Sequence, residues 1–574
     1  MVGRTVIAVL LALIIGVPFA LTAGRSADAA PADARRLIVI TPHVPQIRAE
    51  FGHAFARWHL REYGEPAAID WRTPGGTSEI RGQLNAMFTS AVKNLVSRGL
   101  LGIDAPDDVR LPAGTLEYDL FFGGGSFDHG QVAEPMAVAV KTGDGATAVV
   151  RIRQSVPLGL TQDELDALFG RNAIGPQFLY DPGQRWIGTA LSSFGIVYNR
   201  EVFGRLGLPE PTTFDDLTDP RLVGWVALAD PRQSGSVTTT FDSILGNQGW
   251  ERGWRTLRAM CGTTRYFTNS STKPPIDVSM GEAAAGLAID FYGRGQAQVI
   301  AETGGGDRVG YADPVGAVYV DADPVSILNG GPDPELARRF VRFCLTDEAQ
   351  ALWQFRAGDP SNPTGPDGRP MGPERHELRR MPIRRAMFEQ HFDHFIDKVN
   401  PFEIVSDTEN PRWRTGVQMM MGAFGVDLAD ECRAAYAALD RARRSGAFGA
   451  SELRDLEARF YAFPETPVEA LAALPGFAGL SPEARSLLDE SGWRWASEIR
   501  AVLEPKAPPA DSAYGEIVAL ARGELRLPFT ESTYDAVRNE WRQPGRAARL
   551  RIEYTRFFRE NYRAIVDAVD ARSR

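Results

Sequence analysis

The sequence predicts an α/β protein of two lobes joined by crossing strands and followed by an all-helical C-terminal extension. Short apolar runs alternate with amphipathic helices from residue 35 onward, the pattern of a mostly parallel sheet with helices on its faces. Two further apolar runs, at residues 189–199 and 311–325, bracket a second set of such units. They read as one strand entering the second lobe and another leaving it. From about Pro401 to the end the periodicity is helical alone.

Composition sets the outer limits. A chain of 574 residues is too long for one ordinary domain, and 44% apolar with 24% charged residues suits a globular protein with a sizeable core. A formal charge of −10 disfavours general binding to nucleic acid or anionic membrane. Arg4, the apolar run at residues 5–21 and the small residues Ala27, Ala29 and Ala30 predict an export leader, residues 1–29, cleaved after Ala29. The alternative is an uncleaved anchor, because the run approaches spanning length. Cys261, Cys344 and Cys432 form neither a disulfide framework nor a metal-spacing motif, and read as buried small hydrophobes.

The fold opens with a strand at residues 35–43 that ends on His43. A helix follows whose stripe is Ile47, Phe51, Phe55 and Trp58. The second strand, residues 67–71, runs into the turn at Gly75 and Gly76, where Thr77 or Ser78 can cap a helix with Ile80, Leu84 and Phe88 on its buried face. A third strand, residues 118–122, exits into a glycine-rich loop holding Gly124 and Ser126. Ligands of open α/β sheets sit beyond the carboxyl ends of strands, so these three exits are expected to meet at one edge of the first lobe. Residues 136–184 read as irregular, apart from a short helix at 162–169.

In the second lobe a strand ending at Asn199 leads to a short helix closed by Gly207. The strand at residues 225–230 ends where Ser236 or its neighbour caps a helix with Val237, Phe241, Ile244 and Leu245 inward. A further helix sets Trp250, Trp254 and Leu257 on one side, and residues 286–292 alternate like a half-buried strand. After the return strand, Asp333 with Pro334 and then Thr346 start two helices. The helical tail, residues 401–574, either caps the first lobe or folds as an appendage.

Four phrases in order resemble one family: SSFGIVYNREVFGRLGLPEPTTFDDLTDP, VALADPRQSGSVTTTFDSILGNQGWERGW, MGEAAAGLAIDFY and ADPVSILNGGPDPELARRFVRFCLTDEAQ. Over residues 36–356 the chain resembles the extracellular solute-binding proteins of ABC importers, in the branch of ferric-iron, thiamine and phosphonate binders. The resemblance implies a type II periplasmic binding fold, with lobe one at residues 36–188 and 317–400 and lobe two at 189–316. Its hinge is expected near residues 187–192 and 313–317. It implies a periplasmic or extracellular monomer without catalysis, cofactor or nucleic-acid partner, which passes a small solute, anionic or a metal complex, to an ABC permease of the inner membrane.

Helix starts attract anions through their free N–H groups and dipole. Gly76, Thr77 and Ser78 from one lobe and Ser234, Gly235 and Ser236 from the other would form such a nest on each side, though each set also reads as ordinary capping. His43, Gly124, Ser126 and Ser193 complete the strand-end candidates. Asp290 and Tyr292 fall at the end of the residue 286–292 strand, where resembling iron binders carry two adjacent tyrosines. Here the pair is Phe291 and Tyr292, which counts against ferric iron. His391 and His394 lack the glutamate of a zinc-protease motif. Asp215 and Asp216 read as a turn and helix start, and Trp250 and Trp254 as core. The competing functions are a secreted hydrolase, against which stands the lack of a G-x-S-x-G or zinc triad, and a ligand sensor that signals through the tail.

Overall fold

Apolar runs of strand length build the sheet at most of the places the pattern predicts, in a computed structural model that describes residues 31, 33–142, 145–314, 316–408, 413–467 and 526–573. The leader predicted at residues 1–29 and the proline breaks near 475 and 505–509 lie outside the described residues. β1 (Arg35–Ile40), β2 (Ala67–Arg72) and β3 (Leu120–Phe122) are parallel neighbours in the order β2-β1-β3, with helices Pro45–Tyr63 and Thr77–Ser97 as their crossovers. Residues 136–184 are more ordered than expected. β4 (Pro135–Lys141) and β5 (Thr147–Arg153) form an antiparallel hairpin, and β6 (Ser155–Val156) joins the main sheet.

The organising strand is β7 (Ile187–Asn199), buried along all 13 residues. β8 (Val226–Ala229), β9 (Thr264–Thr268), β10 (Ala285–Ile289) and β11 (Val309–Ala312) belong to the second lobe, while β12 (Val320–Leu328) and β13 (Met381–Pro382) return to the first. The main path runs β2-β1-β3-β12-β7-β10-β8-β9. Along β7, Ile187 to Ser193 pair with β12, and Phe194 to Tyr198 pair with β10. One strand therefore serves both lobes, and its partner changes between Ser193 and Phe194. The chain crosses back between β11, which pairs Ile196 to Asn199, and β12. This is the two-lobed architecture with crossing strands that the sequence predicts.

Two cores flank the first lobe's sheet, one holding Phe51, Phe55, Phe122 and Trp353 and the other Ile80, Leu84, Phe88 and Phe121. The described residues of the tail pack mainly on lobe two, with only its first turn, at Phe402, Ile404 and Val405, against the first lobe's core. Tail residues Met420, Phe424, Cys432, Leu439, Phe460, Tyr554, Phe558 and Tyr562 share one continuous core with Phe241, Trp250, Trp254 and Leu257 of lobe two. Arg258 of lobe two is buried inside this joint. It donates to Phe460 O at 2.7 Å and lies 4.0, 4.5 and 4.8 Å from the ring centres of Phe424, Phe558 and Phe463. Apart from a two-residue pairing of Thr466–Pro467 with Arg526–Leu527, the described tail is helical. All three cysteines are buried and unpaired.

Local readings mostly hold. Asp333 and Thr346 cap their helices with Pro334 in the first turn, Gly207 ends its helix at φ 66°, and Asp216 accepts from the N–H of Thr213, the cap residue of the 3-10 turn Phe214–Thr218, at 2.8 Å. The residue 286–292 strand does not extend as predicted. β10 stops at Ile289 and a helix, Asp290–Ile300, starts at once.

Candidate functional site

The three strand exits of lobe one meet. Gly123 and Gly124 adopt φ of 93° and 118°, backbone that side chains resist, and a Cβ on Gly124 would come within 2.7 Å of Thr77 Cγ2. The loop after β3 thus lies directly on the helix start at Thr77, with the His43 ring against Gly123. That helix is not capped by Thr77 or Ser78 as expected. Gly76 is the cap residue, and its N–H donates to Glu79 Oε2 at 2.6 Å. Across from it, the helix Gly235–Gln248 of lobe two is capped by Ser234, whose Oγ accepts from Val237 N at 3.4 Å.

Between these helix starts lies a cleft of about 380 Å³. It is narrow. A methyl group on Gly235 would sit 3.4 Å from Thr77 Oγ1 and 3.6 Å from Asp128 Oδ2, both of lobe one. His43, Gly76, Thr77, Gly124, Ser234, Gly235 and Tyr292 line the cleft, seven of the twelve sequence candidates.

Four others, Ser78, Ser126, Ser193 and Asp290, lie elsewhere. Ser126 turns its N–H to Asp321 Oδ2 at 3.0 Å, and Ser193 donates its hydroxyl to Asp313 at 3.1 Å, leaving Ser192 to face the cleft. Ser78 is the second residue of its helix, outside the lining, and Ser236 holds the same backbone position in the lobe-two helix. Asp290 is a first helical residue rather than a strand end. It is fully buried, accepts from Phe291 N at 2.8 Å and lies 3.7 Å from Arg294. Burial pushes its carboxyl up to about 6.

The floor holds groups that the sequence reading missed. Asp323, with no exposed surface, accepts from Gly124 N at 3.0 Å, contacts His43 Nε2 at 3.2 Å and pairs with Arg380. Burial, with Arg380 and Arg48 nearby, holds His43 well below the ordinary histidine range, so its Nε2–H is the donor of a neutral ring. Arg380 is itself buried, donates to Ser192 Oγ at 3.2 Å and stacks 4.0 Å over Phe291, while its Nε has no hydrogen-bond partner. Burial brings its guanidinium down to about 10, still a cation at neutral pH. Asp321 lines the cleft with one oxygen on Ser126 N–H and the other, Oδ1, without a partner; burial raises it to about 6. Asp321 and Asp323 stand two apart on β12 and so share a face. That alternation was the available signal for them, whereas nothing local marks Arg380.

The lining therefore offers a buried guanidinium, two helix starts and an unpaired carboxyl oxygen. Such a set matches a solute bearing both an anionic group and hydroxyls. Among the described residues no group of three or more His, Cys, Asp or Glu is placed to hold a metal ion.

Residues 162–380 match the family model described as bacterial extracellular solute-binding protein. A Haemophilus influenzae protein named only as uncharacterized is 29% identical over 176 residues, 30% of this chain and 48% of that one. The phosphoglycerate transport regulatory protein PgtC of Salmonella typhimurium is 29% identical over 106 residues, 18% of this chain and 27% of that one. The chain thus spans about half and about a quarter of the lengths of these curated relatives. Among solved structures, the periplasmic binding protein AfuA from Actinobacillus pleuropneumoniae with fructose-6-phosphate aligns at TM-score 0.39 and 18% identity, covering 55% of this chain and 81% of that one. The apo ferric ion-binding protein A of Pasteurella haemolytica aligns at TM-score 0.44 and 11% identity, covering 70% and 98%.

Proposed function

We propose, from the premise that residues 162–380 belong to the bacterial extracellular solute-binding proteins, that this chain captures a small anionic, hydroxyl-bearing solute between its lobes and delivers it to an ABC-type permease. It works outside the cytoplasm and releases the solute unchanged. Lobe one comprises residues 36–188 and 317–400 and lobe two residues 189–316, with the hinge at the change of partners along β7.

The observation that carries this reading is Arg380, a buried cation in the cleft lining whose Nε has no partner. Asp323 and Ser192 take up its Nη1, and a buried donor left unused is unfavourable, so an anionic solute would use the Nε that they leave. Asp321 Oδ1, also buried and unpartnered, would take a solute hydroxyl. Phosphoglycerate, the solute in the name of the PgtC relative, combines these two chemistries.

Thermal shift and calorimetry with 3-phosphoglycerate, fructose 6-phosphate, inorganic phosphate, ferric citrate, thiamine and a neutral sugar test the reading. An anionic, hydroxylated member is expected to stabilise the protein by about 2.7 kcal/mol at a hundred times its Kd, and to be recovered chemically intact. If no anion in the panel raises the melting temperature, or if one is turned over, the proposal fails.

A further inference from the structure

We infer that the helical extension completes the solute site: Arg414, from beyond the family-matched segment, is the second cation of the cleft and moves with lobe two to close over the bound anion. This rests on the proposal that the cleft binds an anionic solute.

The backbone around Arg414 is fastened to lobe two and to the tail. Trp413 N–H donates to Asp242 Oδ1 at 2.8 Å and its ring packs 4.8 Å from Trp250, while Gly416 N–H donates to Tyr534 Oη at 3.1 Å. Between these anchors the Arg414 side chain leaves the shared core and enters the cleft. Its Nη2 donates to Gly235 O at 3.0 Å, and its Nη1 donates to Thr239 Oγ1. Both hydrogen-bond acceptors are neutral; the carboxylates that act on this charge, Asp128 and Asp321, do so through space from the same lining. Gly235 is also the helix start that faces lobe one.

The guanidinium spans the gap between lobes, lying 4.4 Å over the ring of Phe127 in the helix Ser126–Ala133. Phe127 stays 43% exposed, an aromatic at the cleft rim. Opening the hinge would separate Arg414, carried by lobe two, from Phe127, carried by lobe one. An anion lodged beside Gly235 would meet Arg380 from lobe one and Arg414 from lobe two, and each lobe would contribute a charge-assisted hydrogen bond only in the closed state. Solute charge and lobe closure are thereby coupled through a residue of the tail.

The test is calorimetry on the full chain with inorganic phosphate and with the tightest anion of the panel, for wild type, Arg414→Gln and Arg414→Lys. Loss of a charge-assisted hydrogen bond predicts affinity lower by on the order of 10- to 100-fold in Arg414→Gln, an intermediate loss in Arg414→Lys, and no change for any neutral sugar that binds. If wild type binds an anion and Arg414→Gln binds it within twofold, the inference is overturned while the receptor reading stands. If wild type binds no anion, the receptor reading itself falls, and this inference with it. Should Arg414→Gln fail to fold, Arg414→Lys decides: affinity within twofold of wild type, with a salt dependence no weaker, overturns the assignment of a forked contact.

Discussion

Replacing Arg258 by methionine should destabilise lobe two and the tail together, because this one side chain stands where their cores join. The substitution removes a charged hydrogen bond to Phe460 O at 2.7 Å, a contribution of roughly 1.5–3 kcal/mol. It also removes cation–π contacts with Phe424, Phe558 and Phe463 at 4.0, 4.5 and 4.8 Å, together about 2 kcal/mol in a desolvated setting. Methionine returns part of this, since it fills much of the same space and no charge need be kept from water. The balance is a loss of about 2–4 kcal/mol. For a unit of a few hundred residues that lowers Tm by about 5–10 °C. Differential scanning calorimetry of the full chain reads it directly. The transition that contains lobe two should move as one with the tail. A shift under 2 °C, or a tail transition that moves while lobe two's does not, would refute the shared core.

Two further substitutions probe the cleft. Asp321→Asn tests burial as the cause of the raised carboxyl: moving from an ordinary 3.8 to about 6 means that the folded protein holds a proton the unfolded chain releases, so stability falls as pH rises from about 4 to 6 and is lower by about 3 kcal/mol above that. The asparagine can still accept from Ser126 N–H without titrating, so urea melts should show it gaining on wild type at pH 7.5 and not at pH 4; an equal difference at both pH values would count against the assignment. Gly235→Ala places a methyl at ordinary contact distance, 3.4–3.8 Å, from Thr77, Asp128 and Arg414, so Tm should stay within about 2 °C while affinity for the panel anion drops about tenfold or more. Unchanged affinity in calorimetry would mean that the solute does not approach this helix start.

Readability of the fold followed the range of the forces involved. Caps at Asp333 and Thr346, the helix end at Gly207 and the amphipathic stripe of Ile47, Phe51 and Phe55 are written within a turn or two of chain, and each stands as predicted. The helix Asp290–Ile300 was missed because Gly293 and Gly295 argue locally against a helix. The reason for Gly293 is tertiary: a Cβ there would collide with the Tyr311 ring, so glycine is required by the approach of β11. The β4–β5 hairpin was missed although its strands alternate, with Val138 and Val140 buried and Ala137, Ala139 and Lys141 exposed.

The site was legible only as far as backbone could write it. The glycines at 124 and 235 mark places where chain segments nearly touch, Gly76 marks a helix start, and all three line the cleft. The charges that would discriminate one solute from another came from afar. Arg380 meets Ser192 across 188 positions and Arg414 meets Gly235 across 179, and no periodicity links such pairs. A cleft built this way separates two tasks. On the proposed function, short glycine turns and helix starts would fix where an anion sits, and distant arginines would fix which anion is held. The second task can change without disturbing the first, since Arg414 belongs to a tail whose main commitment is to the core of lobe two.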